Sequence, residues 1–489
     1  MISSVPALRI RLLNDAPVNT AGHYVLYWMI AYRRASWNFS LQHAGEWARE
    51  LNRPLVILEA LRCGYRWASD RLHGFILDGM ADNAQRFAAA PALYYPYVEP
   101  ERDAGKGLLA GLSRQASLVV TDEFPAFMLP HMVQAAARQL PVRFEQVDSN
   151  GLLPLRAAEQ VFTSAYSFRR FLQKHLRPHL QAFPKADPLG DLKLPLMEEL
   201  PQQITRRWPA ATAQLLAGDP AALAALPVDH AVSTAPIRGS TTAAEALLEQ
   251  FVTSRIARYH EARNLPEQDA ASGLSPYLHF GHLAAQQIFD RIMFDEQWSP
   301  AELAIKSTGA RAGWWGVSEG AEAFLDQLIT WRELGFNMCS KREDYDQYQS
   351  LPEWARQTLA QHATDPRPYL YRLEEFAAGQ THDPLWNAAQ MQLVREGRIH
   401  NYLRMLWGKK ILEWSRTPQE ALATMIELNN KYALDGRDPN SYTGIFWILG
   451  RYDRPWGPER RIFGKVRYMS SQNTARKLPV QDYIHWYAP

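Results

Sequence analysis

The runs YVLYWMI, Tyr24 to Ile30, and PLVILEAL, Pro54 to Leu61, are short and almost unbroken in apolar character. They are too brief for core helices and lack polar alternation, so they read as strands buried on both faces. Similar runs occur at Leu93–Val98, Ser117–Asp122 and Val142–Asp148. Helix-length amphipathic segments fall between them, at Phe39–Glu50, Ser69–Ala88, Ala104–Gln115 and Ala126–Arg138. Strands alternating with helices predict a Rossmann-like α/β domain over residues 1–155, with a parallel sheet covered on both faces. Such sheets bind ligands beyond the strand carboxyl ends, here 30–36, 59–65 and 121–127. No G-x-G-x-x-G or P-loop pattern follows any strand, which leaves a docking domain without a ligand as the other reading.

Beyond residue 155 the pattern changes. Arg169, Arg170, Lys174 and Arg177 form a basic amphipathic stretch, and Pro, Gly and Ala then thicken from Asp187 to Ser240. Residues 156–240 therefore read as an interdomain connector. After Ser240 strand signals almost vanish. Ala243–Glu261, Leu283–Glu296, Ala321–Cys339, Leu385–Glu396, Ile399–Trp414 and Pro418–Lys431 all carry helical periodicity, which predicts an all-α domain over 241–489.

The formal net charge is only +2 over 489 residues, so any affinity for nucleic acid must come from a local patch. The two cysteines, Cys63 and Cys339, match no metal-ligand or redox-pair spacing. No metal site is expected. No apolar run has the length of a membrane span and the first residues show no secretory pattern, so the expectation is a cytoplasmic monomer without membrane contact.

Several clusters in the helical part carry chemistry-bearing residues. Trp407 and Trp414 share one face of a predicted helix, about 10 Å apart along its axis. Antiparallel packing of the preceding helix brings Trp386 close to Trp407. On spacing alone, core packing explains these three indoles better than an electron relay does. In LDGRDPN, Leu434 to Asn440, Asp435 and Asp438 flank Gly436 and Arg437, a turn that can receive ring N–H groups or simply cap itself. Ser272-Gly-Leu-Ser275-Pro-Tyr opens a helix and can serve an anion or act as an ordinary cap. From Arg451 to Lys477 there are eight Lys or Arg against two Asp or Glu, interleaved with Tyr452, Trp456, Phe463 and Tyr468. This strip suits nucleic acid or a solvated charged face.

Taken together, SGLSPYLHFGHL, TWREL, DPLWN…HNYLRMLWGKKILEW, LNNKY, LDGRDPN and IFGKVRYM resemble the class II cyclobutane pyrimidine dimer DNA photolyases, densely from Val228 to Lys477. The resemblance implies light-driven repair of dimers in UV-damaged DNA, with excited reduced FAD donating an electron to a flipped-out dimer. By motif, Tyr259, Arg263, Ser272, Leu274 and Ser275 would hold FAD phosphates and ribitol, with Asp435 and Asp438 beside the ring systems. Asn429 would face the flavin. Trp407, Trp386 and Trp414 would form the photoreduction relay. Trp331 and Trp447 would cradle the dimer, with Met405 lining the same cavity. Arg451, Arg454, Arg461, Lys465 and Arg467 would grip phosphates. The α/β domain would be the place for an antenna chromophore of deazaflavin or folate type.

Two departures stand out. Gln327 occupies the position where the family has a glutamate facing the dimer, with Asp326 next to it as a candidate substitute. Residues 297–320 form an insertion containing Gly313-Trp314-Trp315. The alternative functional class is a cryptochrome-like FAD photoreceptor without repair activity. The end of the chain, twelve residues after Lys477, favours the enzyme.

Overall fold

The apolar runs form five of the six strands of one sheet. In the computed structural model, which describes residues 3–489, six strands run in the order β1-β6-β5-β2-β3-β4. These are β1 (Ile10–Leu12), β2 (Tyr24–Met29), β3 (Leu55–Leu61), β4 (Leu93–Val98), β5 (Ala116–Asp122) and β6 (Phe144–Val147). Strands β2 to β6 pair in parallel, whereas β1 pairs antiparallel with β6, with Ile10 opposite Val147. Every residue of β2 and β5 is buried, as their unbroken apolar character requires. The sheet is thus mixed rather than wholly parallel. The edge strand β1 escapes the sequence pattern because it is three residues long and largely exposed.

Helices α1 (Phe39–Leu51), α2 (Asp70–Phe87), α3 (Leu108–Ser113) and α4 (Leu129–Ala137) lie between the strands in the chain. Asn38 starts α1 by accepting the N–H groups of Ser40 and Leu41, and Asn52 ends it in the left-handed conformation, φ +49°. The strand order reverses between β2 and β5, and a buried carboxylate organises that point. Asp122 Oδ2 accepts the backbone N–H groups of Ile30 (2.9 Å), Ala31 (2.8 Å) and Tyr32 (3.0 Å), while Oδ1 accepts the Tyr27 hydroxyl at 2.7 Å. The same turn receives the FGHL motif. Arg34 Nη1 donates to the Gly281 carbonyl at 2.9 Å, and a Cβ on Gly281 would lie 1.8 Å from the Ala31 carbonyl oxygen. Only glycine, here at φ +79°, tolerates that approach.

The chain groups into two units, one of Met1–Glu159, Leu176–Glu249 and Leu274–Asp295, the other of Gln160–His175, Gln250–Gly273 and Glu296–Pro489. These boundaries differ from the divisions expected after 155 and 240, for visible reasons. Leu189, Leu192 and Leu194 belong to the same core cluster as Val25, Tyr27 and Leu118, so much of the expected connector completes the α/β core. Gln286 Nε2 likewise donates to the Gly151 carbonyl at 2.6 Å. Helix α5 (Ala165–His175) belongs to the other unit, held by the Arg169–Asp326 ion pair at 2.8 Å. That second unit is helical. Its segment Glu319–Lys341 is interrupted by a π-helical turn at Asp326–Trp331. Among the described residues no helix is long and apolar enough to cross a membrane, and no cluster of metal-ligating side chains occurs.

Replacing Asp122 with Ala strands three buried N–H groups, and each buried unsatisfied group costs about 1–3 kcal/mol. The expected outcome is a loss of at least roughly 3 kcal/mol in urea unfolding followed by circular dichroism. A change below about 1 kcal/mol would show that the turn does not depend on this carboxylate.

Candidate functional site

Buried indoles need acceptors for their N–H groups, and the helices Pro384–Glu396 and Asn401–Trp414 supply them to each other. Asp383 caps the first helix by accepting the Trp386 backbone N–H at 3.1 Å, and Gly397 ends it at φ +70°. Trp386 Nε1 donates to the Trp407 carbonyl at 2.9 Å, and Trp407 Nε1 donates to Gln390 Oε1 at 2.9 Å. The rings of Trp386 and Trp414 lie 5.8 Å apart at 69°. All three indoles are at most 1% exposed. The aromatic contacts continue through Tyr371, 5.6 Å from Trp414, and His382, 5.0 Å from it, to Tyr369, which is 45% exposed. Gln390 is missed by a reading that looks only for aromatic and charged residues, although it sits four positions after Trp386 on the same helical face.

Asn429 lies at the end of the helix Pro418–Tyr432 and is buried. Its Nδ2 donates to Ser441 Oγ at 2.7 Å. The turn after it folds back onto Asn429, because a Cβ on Gly436 would lie 2.8 Å from the Asn429 carbonyl oxygen. Within the turn the charged groups divide their work. Arg437, at φ +66° and buried, donates to the carbonyls of Asn430, Ala433 (3.3 Å) and Leu434 (3.1 Å), so it caps the end of the preceding helix. Asp438 accepts the Asn440 N–H at 2.8 Å at the start of the helix Pro439–Ile448. Asp435 is paired with Arg404 of the helix Asn401–Trp414 at 3.2 Å. A buried amide at a helix end and an arginine-oriented carboxylate in the turn that follows offer hydrogen-bonding groups of the kind that the polar edge of a flavin ring would need.

Tyr259 is buried edge-on between Phe251 (5.7 Å) and Phe324 (5.3 Å), with the Arg263 guanidinium 5.6 Å from its ring. Ser272 is half-buried, Leu274 is buried and precedes the short helix Ser275–Phe280 without a side-chain capping bond, and Ser275 is exposed at its first position.

Gln327 and Trp331, both half-buried, share the π-helical turn. Asp326 does not stand in for the missing glutamate: it is buried and committed to Arg169. Met405 is half-buried, and its Cε would lie 3.7 Å from a Cβ on Gly444, one turn before Trp447. Trp447 has the Lys409 ammonium 5.3 Å from its ring and the Arg467 guanidinium at 5.2 Å. Lys409 is fully buried, donates to the Ile448 carbonyl, and is pushed down to about 7 by burial. Asp453 orients Arg467 at 3.2 Å and accepts the Trp456 indole N–H at 3.1 Å.

Arg451 departs from its expected role in gripping phosphates. It is buried, donates to the Tyr345 carbonyl at 2.8 Å and lies 3.7 Å from the Phe446 ring centre, so it is part of the core. Tyr452 and Phe463 are buried too. Arg454, Arg461 and Lys465 are exposed, and Arg467 is half-buried with its guanidinium 4.1 Å from Trp456.

With this geometry in place, known proteins can be set beside it. The fold is that of the photolyases: a crystal structure of a bacterial class III photolyase from Agrobacterium tumefaciens superposes with a TM-score of 0.63 at 16% identity, over 95% of this chain and 86% of that one. Proteins named deoxyribodipyrimidine photo-lyase are similar over almost the full length. The one from Methanothermobacter thermautotrophicus is 34% identical over 98% of both chains. Those from Oryza sativa subsp. japonica and Arabidopsis thaliana are 34% and 33% identical, over 98% and 99% of this chain and 90% and 93% of theirs. No protein-family model matches the chain. The chain belongs to the deoxyribodipyrimidine photo-lyase family, DNA-repair enzymes with a flavin-type chromophore.

The lowered Lys409 value has a consequence for stability. Between about pH 7 and the unfolded lysine value near 10.4, the unfolded chain binds the proton that the folded chain has released, so stability rises with pH across that window. Lys409→Met is expected to flatten the rise in urea midpoint from pH 7 to 10. An identical slope in the variant would mean that Lys409 stays charged in the folded protein.

Proposed function

We propose that this protein repairs cyclobutane pyrimidine dimers in DNA under light, with FAD as its catalytic cofactor. The observation that carries the reading is the buried indole chain, in which Trp386 bonds to Trp407 and touches Trp414. Such a chain offers closely spaced aromatic sites from the interior toward Tyr369. When bound, reduced FAD supplies on excitation the electron that opens the cyclobutane ring and takes it back afterwards.

The chain's own residues do the rest. Tyr259, Arg263, Ser272, Leu274 and Ser275 hold the phosphates and ribitol, Asp435 and Asp438 stand beside the ring systems, and Asn429 faces the flavin edge. Trp331, Trp447 and Met405 replace the stacking that the dimer loses on leaving the duplex, a loss made smaller by its weakened pairing. The Arg467 guanidinium beside Trp447, joined by the Lys409 ammonium below about pH 7, fixes that wall. Gln327 donates or accepts a hydrogen bond at the dimer but supplies no acidic proton. Arg454, Arg461, Lys465 and Arg467 contact phosphates without reading sequence.

An antenna chromophore belongs at the carboxyl ends of β2, β3 and β5. Among the described residues, both ring nitrogens of His73 and His282 are buried there without a hydrogen bond, and Arg33 Nη1 faces Glu59 Oε1 as a loose ion pair at 3.9 Å. Burial pushes His73 down to about 4 and His282 down to about 3, so both are neutral. Tyr65 stacks on His73 at 5.8 Å, and Phe127 stacks on Trp67 at 5.9 Å. Neutral imidazoles, aromatic faces and unspent polar atoms suit a planar chromophore of deazaflavin or folate type.

Purified protein with pre-reduced flavin, mixed with dimer-containing oligonucleotide, is expected to remove dimers only when illuminated. Trp407→Phe is expected to slow flavin photoreduction at least roughly tenfold while leaving repair by pre-reduced enzyme largely intact, since a factor of ten corresponds to about 1.4 kcal/mol of barrier. Dimers that persist in the light beside a normally photoreducing flavin would instead mark a photoreceptor. Gln327→Glu in the same assay reads how far the amide limits the rate.

A further inference from the structure

The roles above leave the insertion and helix α5 unused, yet the two are built into one rigid piece. Gln173 clamps the insertion by donating from Nε2 to the Ala310 carbonyl at 3.1 Å and accepting the Gly309 N–H at 2.7 Å. Arg169 Nη1 donates to the Gly309 carbonyl at 3.2 Å. Gly309, at φ +77°, lies so close that a Cβ would fall 2.9 Å from the Tyr166 ring and 3.2 Å from Arg170 Cβ. Further along the insertion, the Glu322 carboxylate accepts the N–H groups of Gly313 (2.8 Å), Trp314 (3.0 Å) and Trp315 (3.3 Å). Trp298 Nε1 donates to the Trp315 carbonyl at 2.6 Å. A long loop held at both ends presents its outward side chains at defined places.

Those side chains are basic. Lys306 and Arg311 from the loop and Arg170 and Lys174 from α5 are all exposed. The segments LAIKSTGARAGWWG (Leu303–Gly316) and AYSFRRFLQKH (Ala165–His175) contain no Asp or Glu. Arg169 alone among their cations is ion-paired, to buried Asp326. Ile305, 98% exposed, and Tyr166, 57% exposed, add apolar surface to the same two segments. In a chain whose net charge is only +2, four exposed cations on two braced segments that carry no carboxylate of their own point to a polyanion. Asp326, which holds Arg169, immediately precedes Gln327 in the π-helical turn, so the frame is anchored one residue along the chain from the amide proposed to meet the lesion.

We propose that Arg170, Lys174, Lys306 and Arg311 form a second DNA-phosphate contact surface that grips the duplex beside the extruded lesion, with Gln173 as the residue that positions it. The proposal rests on the reading of DNA as substrate. It is tested on the flavin-loaded full chain carrying Arg170→Ala, Lys174→Ala, Lys306→Ala and Arg311→Ala together, with flavin absorbance and circular dichroism reporting the fold. Binding of undamaged and dimer-containing duplex is measured between about 50 and 200 mM salt, the range over which phosphate contacts are resolved. The variant is expected to show a slope of log affinity against log salt shallower by roughly 2–4, at about 0.9 for each phosphate contact, with both duplexes weakened alike. Gln173→Ala, which removes no charge, is expected to weaken both duplexes to a smaller degree. Light-driven repair of a dinucleotide dimer, too short to reach the surface, is expected to stay at the wild-type rate. Unchanged salt slopes for both duplexes overturn the proposal and leave the face to a protein partner. If the wild type fails to repair the dinucleotide but the slopes still differ, the repair reading falls and the DNA contact stands.

Discussion

Two indole N–H groups in a dry interior must find acceptors, and the helical unit is arranged around the way they do. The Trp386 group goes to a backbone carbonyl of the next helix, and the Trp407 group returns to the first helix through Gln390. A helical carbonyl has a second lone pair, so the added bond leaves the helix intact. Sliding one helix past the other would strand both donors, at about 1–3 kcal/mol each, so the two helices have one alignment. That alignment sets everything else Asn401–Trp414 presents. Arg404 reaches Asp435, Met405 lies against Gly444, and Lys409 meets Ile448 and Trp447. One register therefore governs the acidic turn, the surroundings of Trp447 and the indole chain together.

Much of this was legible in the sequence because it rests on patterns that local physics enforces. Strands β2 and β5 are buried on both faces and so read as unbroken apolar runs. The helices around Trp386 and Trp407 were legible from periodicity and from Gly397. What escaped reading depends on partners far away in the chain. Strand β1 is too short to carry a period, and it exists because β6 offers it an edge. The leucines at 189, 192 and 194 look like punctuation in a loose segment until a core is there to receive them. Arg451 looked like one more cation in a basic strip, and its charge gave no hint that Tyr345 and Phe446 enclose it. Arg437 sits beside two aspartates in sequence but turns to helix carbonyls in space.

The surroundings of Trp447 show how apolar and charged groups share one wall. Its ring has a cation on each of two neighbours, one buried and one tethered by Asp453. A ring held by its quadrupole keeps its orientation without a hydrogen bond of its own, and the attraction strengthens as water is removed. The arrangement makes a firm aromatic surface, as the proposed role of Trp447 beside an extruded dimer would require.

The turn at Asp326–Trp331 carries a constraint of another kind. A single π-helical turn is an α-helix that has accommodated one extra residue. The helix on either side is regular, so its two halves are rotated against each other by that one addition. Asp326 can then face Arg169 while Trp331, five residues later, is half-buried elsewhere on the circumference. Segment length, and not only residue identity, thereby sets direction: trimming one residue would leave composition nearly untouched, yet heal the helix and turn Gln327 and Trp331 away from their present direction relative to the first half of the segment.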